Sequence, residues 1–165
     1  MRSALARPLV PAFDLRPGAA VDLSRLVALE ERLFTADRIS RRSFRHFLSA
    51  PGAALIVAGR GGELAGYALV LFHPRSAAAR LYSIAVEPRH AGQGAGALLL
   101  AAAEGGAGER GYARMRLEVR VGNAAAIRLY CKAGYRQFGH RAGYYDDGED
   151  ALRFEKPLYP LRPAA

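Results

Sequence analysis

Cysteine occurs once in this sequence, as Cys131, so no disulfide can form within the chain. The four histidines, His46, His73, His90 and His140, are scattered without the spacing of a metal site, and no metal is expected. Long apolar runs are missing as well. Although 51% of the residues are hydrophobic, no run approaches the roughly 20 residues of a membrane span. The segment from Met1 to Pro8 lacks the apolar centre of a secretory signal. A soluble, cytoplasmic protein without membrane contact is the expectation. Neither an internal repeat nor a low-complexity linker divides the 165 residues, which predicts one domain over 1–165 with an ordered core over about 9–159.

Lysine is nearly absent too. Only Lys132 and Lys156 occur, yet the net charge is +9, because arginine supplies the rest. Beside the abundant alanine and glycine, this reads first as a composition skewed by the genome. It also suits a small partner carrying several phosphates, which a basic cleft would attract. A nucleic-acid partner has only the net charge in its favour and is not expected.

Val10 to Arg16 reads as an edge strand, since Pro11 would remove a ladder donor from a central one. Asp22 is placed to cap a helix in which Leu23, Leu26, Val27, Leu29, Glu30 and Leu33 give an amphipathic period of 3.6 residues that ends near Phe34. Ser40 is placed to cap a second helix through Leu48, stopped by Pro51. A hairpin follows: Ala54 to Ala58, a turn at Gly61-Gly62, then Leu64 to Phe72. Arg80 to Val86 is a third strand, Ala97 to Ala103 a helix, and Arg116 to Val119 a strand, so these two strands pair in parallel across the crossover. Asn123 caps a helix from Ala124 to Lys132 that Gly134 closes. Tyr135 to Phe138 and Leu152 to Glu155 form an antiparallel pair.

The run Gly92-Gln93-Gly94-Ala95-Gly96 lies between a strand and a helix. Glycines there let the backbone curl and aim successive N–H groups at one point beside the positive end of a helix dipole, which makes a phosphate site. The same residues satisfy a dinucleotide-binding fingerprint, Gly92-x-Gly94-x-x-Ala97. That fold needs the glycines after its first strand, whereas at least three strands come before them here.

From Leu81 to Leu158 the chain resembles the GNAT acetyltransferase superfamily, most closely its RimI-like branch. The resemblance rests on Ile84-Ala85-Val86-x-Pro88, the glycine turn, Leu117-Glu118-Val119-Arg120-x-x-Asn123-x-x-Ala126-Ile127-x-Leu129-Tyr130, Gly134-Tyr135 and Tyr144-Tyr145-x-x-Gly148-x-Asp150-Ala151, in family order and spacing. It implies an α/β (α+β) fold: a mixed, mostly antiparallel central sheet flanked by helices, with a splayed parallel strand pair at the cofactor site. It implies transfer of acetyl from acetyl-CoA directly to a primary amine, a peptide or protein N-terminal α-amine in this branch, by a monomer or homodimer. A small-molecule amine or amino acid is the alternative acceptor, and a non-catalytic acetyl-CoA-binding module the alternative class.

Acetyl transfer to an amine requires a neutral amine, a stabilised oxyanion and a proton for the thiolate. Glu118, a charge within a strand, is the candidate base, the role the family gives the matching position; the competing explanation is an ion pair with Arg116 or Arg120. Tyr130 matches the family's proton donor to the departing sulfur, where a tyrosine can also simply pack. The resemblance assigns cofactor contacts to the backbone of Ile84, Ala85 and Val86, to Gly92, Gln93, Gly94, Ala95, Gly96 and Ala97 at the pyrophosphate, and to Asn123 and Tyr130 nearby. One departure stands at Ala91, where the family places Gln or Arg, so a side-chain contact would fall to Arg89 or His90. Phe34, Tyr144 and Tyr145, with Asp146, are candidates for the acceptor site, although Asp146-Asp147-Gly148 also reads as an ordinary turn. The segment Phe34 to Arg42 lacks the branch's aromatic-proline motif, and its arginines are either a solvated face or a receiver for an acidic peptide.

Overall fold

The computed structural model describes residues 12–159. Seven strands form one sheet in the order β1-β2-β3-β4-β5-β7-β6. They are β1 (Asp14–Pro17), β2 (Ala53–Arg60), β3 (Glu63–Leu71), β4 (Ala78–Val86), β5 (Arg114–Arg120), β6 (Arg136–Arg141) and β7 (Ala151–Pro157). Every neighbouring pair is antiparallel except β4 and β5. Four helices flank the sheet: α1 (Leu23–Leu33), α2 (Arg41–Ser49), α3 (Ala95–Glu109) and α4 (Ala124–Lys132). No helix of the described residues is long and apolar enough to cross a membrane.

The layers follow from side-chain alternation along the strands. In β3 both faces are buried, so consecutive residues diverge into two cores. Tyr67 and Leu69 meet Leu26, Leu29 and Phe44 from α1 and α2, whereas Ala68 and Val70 meet Leu99, Leu100 and Ala103 from α3. That is the pattern of a strand covered on both sides. β5 differs. Met115, Leu117 and Val119 enter the α3 core, while Arg114, Arg116, Glu118 and Arg120 on the other face are only half-buried. The α1/α2 layer therefore stops short of β5, and charged side chains line the uncovered face.

β4 and β5 pair only at Ala78↔Arg114, Ala79↔Met115 and Arg80↔Arg116. Beyond Arg80 they part. The register of β4 against β3 shifts there, with Leu69 opposite Ser83 and Val70 opposite Leu81, so Tyr82 is an extra residue of the kind that bends a strand. From Leu81 to Val86 the edge of β4 facing β5 has no partner strand.

Several local expectations need correction. The edge strand begins at Asp14, while Val10 and Pro11 lie outside the described residues. Asp22 precedes α1 without capping it through its side chain. Its buried carboxylate instead accepts two hydrogen bonds of 2.7 Å from Arg16 and one of 2.8 Å from the Ala19 N–H. α3 runs from Ala95 to Glu109, well beyond Ala97 to Ala103. Its many glycines weaken helix propensity, but Leu99, Leu100, Ala103 and Ala107 on the sheet-facing side are buried, and packing outweighs the local preference. Two caps are as expected: Ser40 accepts from the Ser43 N–H at 3.1 Å and Asn123 from the Ala126 N–H at 3.2 Å.

Candidate active site

Where β4 and β5 part, a cleft of about 450 Å³ opens. It brings together Glu118, Tyr130, Asn123 and Ile84 with Phe34, Tyr144 and Tyr145, which the sequence spreads over more than a hundred positions. Ala85 turns its side chain into the α1/α2 core, leaving its backbone at the strand edge. The glycine turn lies outside the cleft, beyond the end of β4.

Glu118 projects from β5 with its side chain 12% exposed. Its partners are neither Arg116 nor Arg120. Arg80 donates to it at 3.2 Å, and Arg153 lies 3.6 Å away. The register explains this, because Arg153 stands directly opposite Glu118 on β7 and Arg80 reaches across from the parallel end of β4. Arg116 pairs with Glu155 instead. Arg80 also donates to the Tyr144 hydroxyl at 2.6 Å, so Tyr144, Arg80 and Glu118 form a chain across the cleft wall.

Tyr130 extends from α4, and its ring packs edge-on against Tyr135 with centroids 5.7 Å apart. Burial, with the neighbouring Tyr145 adding to it, pushes its hydroxyl well above the usual phenol range. The phenol therefore keeps its proton throughout the neutral range. Among the described residues its hydroxyl has no hydrogen-bond partner, which leaves it free to donate.

Two loops border the Tyr145 end of the cleft, and Arg120 ties them together. Its guanidinium binds Asp37 of the α1–α2 loop at 2.6 Å, and Asp147 and Glu149 of the β6–β7 loop at 2.8 and 2.9 Å. It lies 4.0 Å from the Tyr145 ring centroid. Burial pushes the Tyr145 phenol up to about 12. The turn at Asp146-Asp147-Gly148 and the aromatic cluster are thus one structure: Gly148 N–H bonds the Tyr145 carbonyl at 2.8 Å while both tyrosines line the cleft. Under the α1–α2 loop, buried Glu30 accepts from the Ile39 N–H at 2.9 Å and from Tyr67 at 2.5 Å, and Tyr67 meets Ser83 at 2.8 Å. Sequence reasoning missed Glu30, Arg80 and Arg153. A glutamate inside an amphipathic repeat was the one local sign of Glu30. Arg38 folds onto the end of α1, bonding the carbonyls of Glu31 and Phe34, so it is not among the cleft's side chains.

In the glycine turn, Gly92 and Gly94 adopt φ of 73° and 89°, and Gly94 immediately precedes α3. The first N–H groups of α3 consequently face out from a 15-residue helix. Both expected substitutes for the side chain lacking at Ala91 directly precede it in the chain, and the His90 Nε2 has no hydrogen-bond partner among the described residues. Arg89 pairs with Glu63 at 2.8 Å, and His90 packs edge-on against Phe13. At the turn itself Arg60 bonds the Gln93 side chain.

Comparison with known proteins agrees with this architecture. The chain is 34% identical over 132 residues, 79% of its length and 86% of the relative, to a Bacillus subtilis protein bearing the name of a ribosomal protein bS18-alanine N-acetyltransferase. It is 33% identical over 112 residues, 66% of its length and 59% of the relative, to streptothricin acetyltransferase of Streptomyces lavendulae. The crystal structure of the ribosomal-protein-S18-alanine N-acetyltransferase from Escherichia coli superimposes with a TM-score of 0.79 at 29% identity, covering 93% of this chain and 98% of that one. Residues 23–135 match the Acetyltransferase (GNAT) family, and the chain belongs to that family and is an acetyltransferase.

Proposed function

We propose that the protein acetylates the N-terminal α-amine of a peptide or protein with acetyl-CoA as donor. The observation that carries this reading is the convergence of Glu118, Tyr130 and two bordering loops on one cleft at the parting of β4 and β5. Acetyl-CoA, which the GNAT family uses, supplies the activated acetyl group as a thioester. The chain has the features that such a molecule needs. An unpartnered strand edge from Leu81 to Val86 suits the amides of an extended arm, and a turn with two positive-φ glycines at a helix start suits phosphate.

In this reading Glu118 accepts the proton of the incoming ammonium, directly or through water, while Arg80 and Arg153 orient it. The Tyr130 phenol would give its proton to the thiolate that departs when the acetyl carbon–sulfur bond breaks. Backbone N–H groups near Ile84 polarise the acetyl carbonyl. Asn123 already caps α4, and it turns toward the cleft from that position. Phe34, Tyr144 and Tyr145 enclose the acceptor amine. The peptide acceptor is supported by the Bacillus subtilis and Escherichia coli relatives, whereas streptothricin acetyltransferase represents the small-molecule alternative.

Thiol release from acetyl-CoA against peptide N-termini and small amines tests both questions. Glu118→Gln and Tyr130→Phe are each expected to slow turnover about 100-fold or more, with acetyl-CoA affinity retained. Unchanged turnover in both variants would refute the roles. Turnover of small amines but of no peptide would replace the acceptor.

A further inference from the structure

A second cleft, of about 560 Å³, opens beside the first on the uncovered face of β4, β5 and β7. Arg80, Glu118 and Tyr144 line both clefts, so the two adjoin across this hydrogen-bonded chain. The remaining walls carry Arg116, Arg141 and Arg153, with Phe72 on the side of the β3–β4 loop.

The charges here do not balance. Glu118 is shared by Arg80 and Arg153, and Glu155 by Arg114 and Arg116. Arg141 has no carboxylate partner among the described residues, and its guanidinium sits 5.9 Å from the Tyr144 ring. The lining thus holds four arginines and one carboxylate, and with Arg114 and Glu155 beside it the excess stays at three positive charges. Moreover, the Arg153 Nε is buried without a hydrogen-bond partner among the described residues, because Glu118 at 3.6 Å is too far to accept from it. A buried donor without an acceptor is unfavourable until something accepts from it.

The phosphates expected at the glycine turn are not the anions this cleft meets. Arg116 and Glu118 point away from Met115, Leu117 and Val119, which pack against α3, and the turn begins α3. The arginine-lined cleft therefore lies on the opposite face of the sheet, the face of the α1–α2 loop and Tyr144.

We infer that this second cleft receives a carboxylate of the acceptor, so that the enzyme selects acceptors carrying an acidic group a short distance beyond the reacting amine. Guanidinium forks bind carboxylates through paired hydrogen bonds, and a cleft with one sign of charge draws the opposite sign. The inference rests on the peptide reading proposed above. The carboxylate is then an acidic side chain among the first residues of the peptide; in a short acceptor it would be the C-terminal carboxylate.

The test uses alanine-initiated peptides differing only by Asp, Gln or Arg at one of the next few positions. At the best position Asp is expected to exceed Gln about tenfold in kcat/KM, mostly through KM. That preference is expected to fall to within about twofold in an Arg116→Gln/Arg141→Gln double variant and in about 0.5 M salt. Retained acetyl-CoA binding checks that the double variant is folded. In parallel, calorimetric titration with the same peptides already N-acetylated reads binding without turnover. Equal affinity for the Asp and Gln peptides at every position, or a preference that survives in the double variant, would overturn the inference. If no peptide is turned over, the peptide reading fails separately, while the acetylated peptides still decide whether the cleft takes a carboxylate. A dipeptide acetylated about tenfold faster than its C-terminal amide would uphold the cleft and assign it to small acceptors.

Discussion

Glu30 offers the sharpest test of how the α1–α2 side of the cleft is held. It is one of two buried charged residues among those described, at 2% exposure, and its carboxylate joins the Ile39 N–H to Tyr67. Glu30→Ala leaves Tyr67 a partner, because its hydroxyl still meets Ser83, but orphans the Ile39 N–H. An unsatisfied buried donor costs about 1–3 kcal/mol, and the small void adds to it. A loss of about 2–3 kcal/mol, or roughly 5–10 °C in Tm for a chain of this size, is expected. Glu30→Gln behaves differently. Its amide oxygen can accept from Ile39 while its NH2 donates to Tyr67, which in turn donates to Ser83, so the loss stays below about 1 kcal/mol. Burial pushes the Glu30 carboxyl upward, only partly offset by the bonds from Ile39 and Tyr67. The native state therefore holds this proton to higher pH than the unfolded chain, and wild-type stability falls as pH rises from the ordinary value of 4.5 through the raised one. Glu30→Gln lacks that slope and gains on the wild type across the same window. Urea denaturation followed by circular dichroism, run at pH below and well above this window, reads both effects. A glutamine variant as unstable as the alanine variant, with the wild-type pH trend, would refute the hydrogen-bond argument.

Gly94→Ala should cost about 1–2 kcal/mol from its φ of 89° alone, since open space surrounds the added Cβ, and should weaken acetyl-CoA binding in a calorimetric titration. Gly66→Ala should cost more in thermal denaturation, because its Cβ would come within 2.5 Å of the Ala85 carbonyl oxygen and push β4 out of place. Asp22 is held below the usual carboxyl range, first by hydrogen bonds from Arg16, so its stabilisation is present above 3.8 and lost as pH falls through the depressed value. Asp22→Asn should therefore cost about 1 kcal/mol at neutral pH, kept small because Arg16 is half exposed, and the difference should vanish in acid denaturation curves. Arg120→Gln, which releases Asp37, Asp147 and Glu149, should raise the KM for the acceptor about tenfold, with acetyl-CoA affinity unchanged in steady-state kinetics.

What was legible beforehand shares one physical character. The turn of the β2–β3 hairpin, the Ser40 and Asn123 caps and the glycine turn each arise from residues within a few positions of one another, where apolar period, cap chemistry and glycine torsion act locally. The misreadings arise where a distant partner outweighs a local preference. Asp22 had the type and place of a cap, but Arg16 offered its carboxylate a stronger bond.

The same division runs through the cleft itself. The side proposed for the donor is a strand edge and a turn that follow one another from Leu81 to Ala97, so a short motif suffices to reveal it. The side proposed for the acceptor is made of charge pairs between remote positions: Arg80 with Glu118, 38 positions apart, and Arg120 with Asp37, 83 apart. No local pattern encodes such pairs, because each is settled only when the register of β5 against β4 and β7 is set. In the proposed reading, substitutions at Asp37, Arg116, Arg141 or Tyr145 change which amine is accepted while the backbone edge and the glycine turn stay as they are. A family motif therefore identifies acetyl transfer readily and the acceptor poorly, and the arginines on the uncovered face of β5 are the place to look for what distinguishes this chain's acceptor.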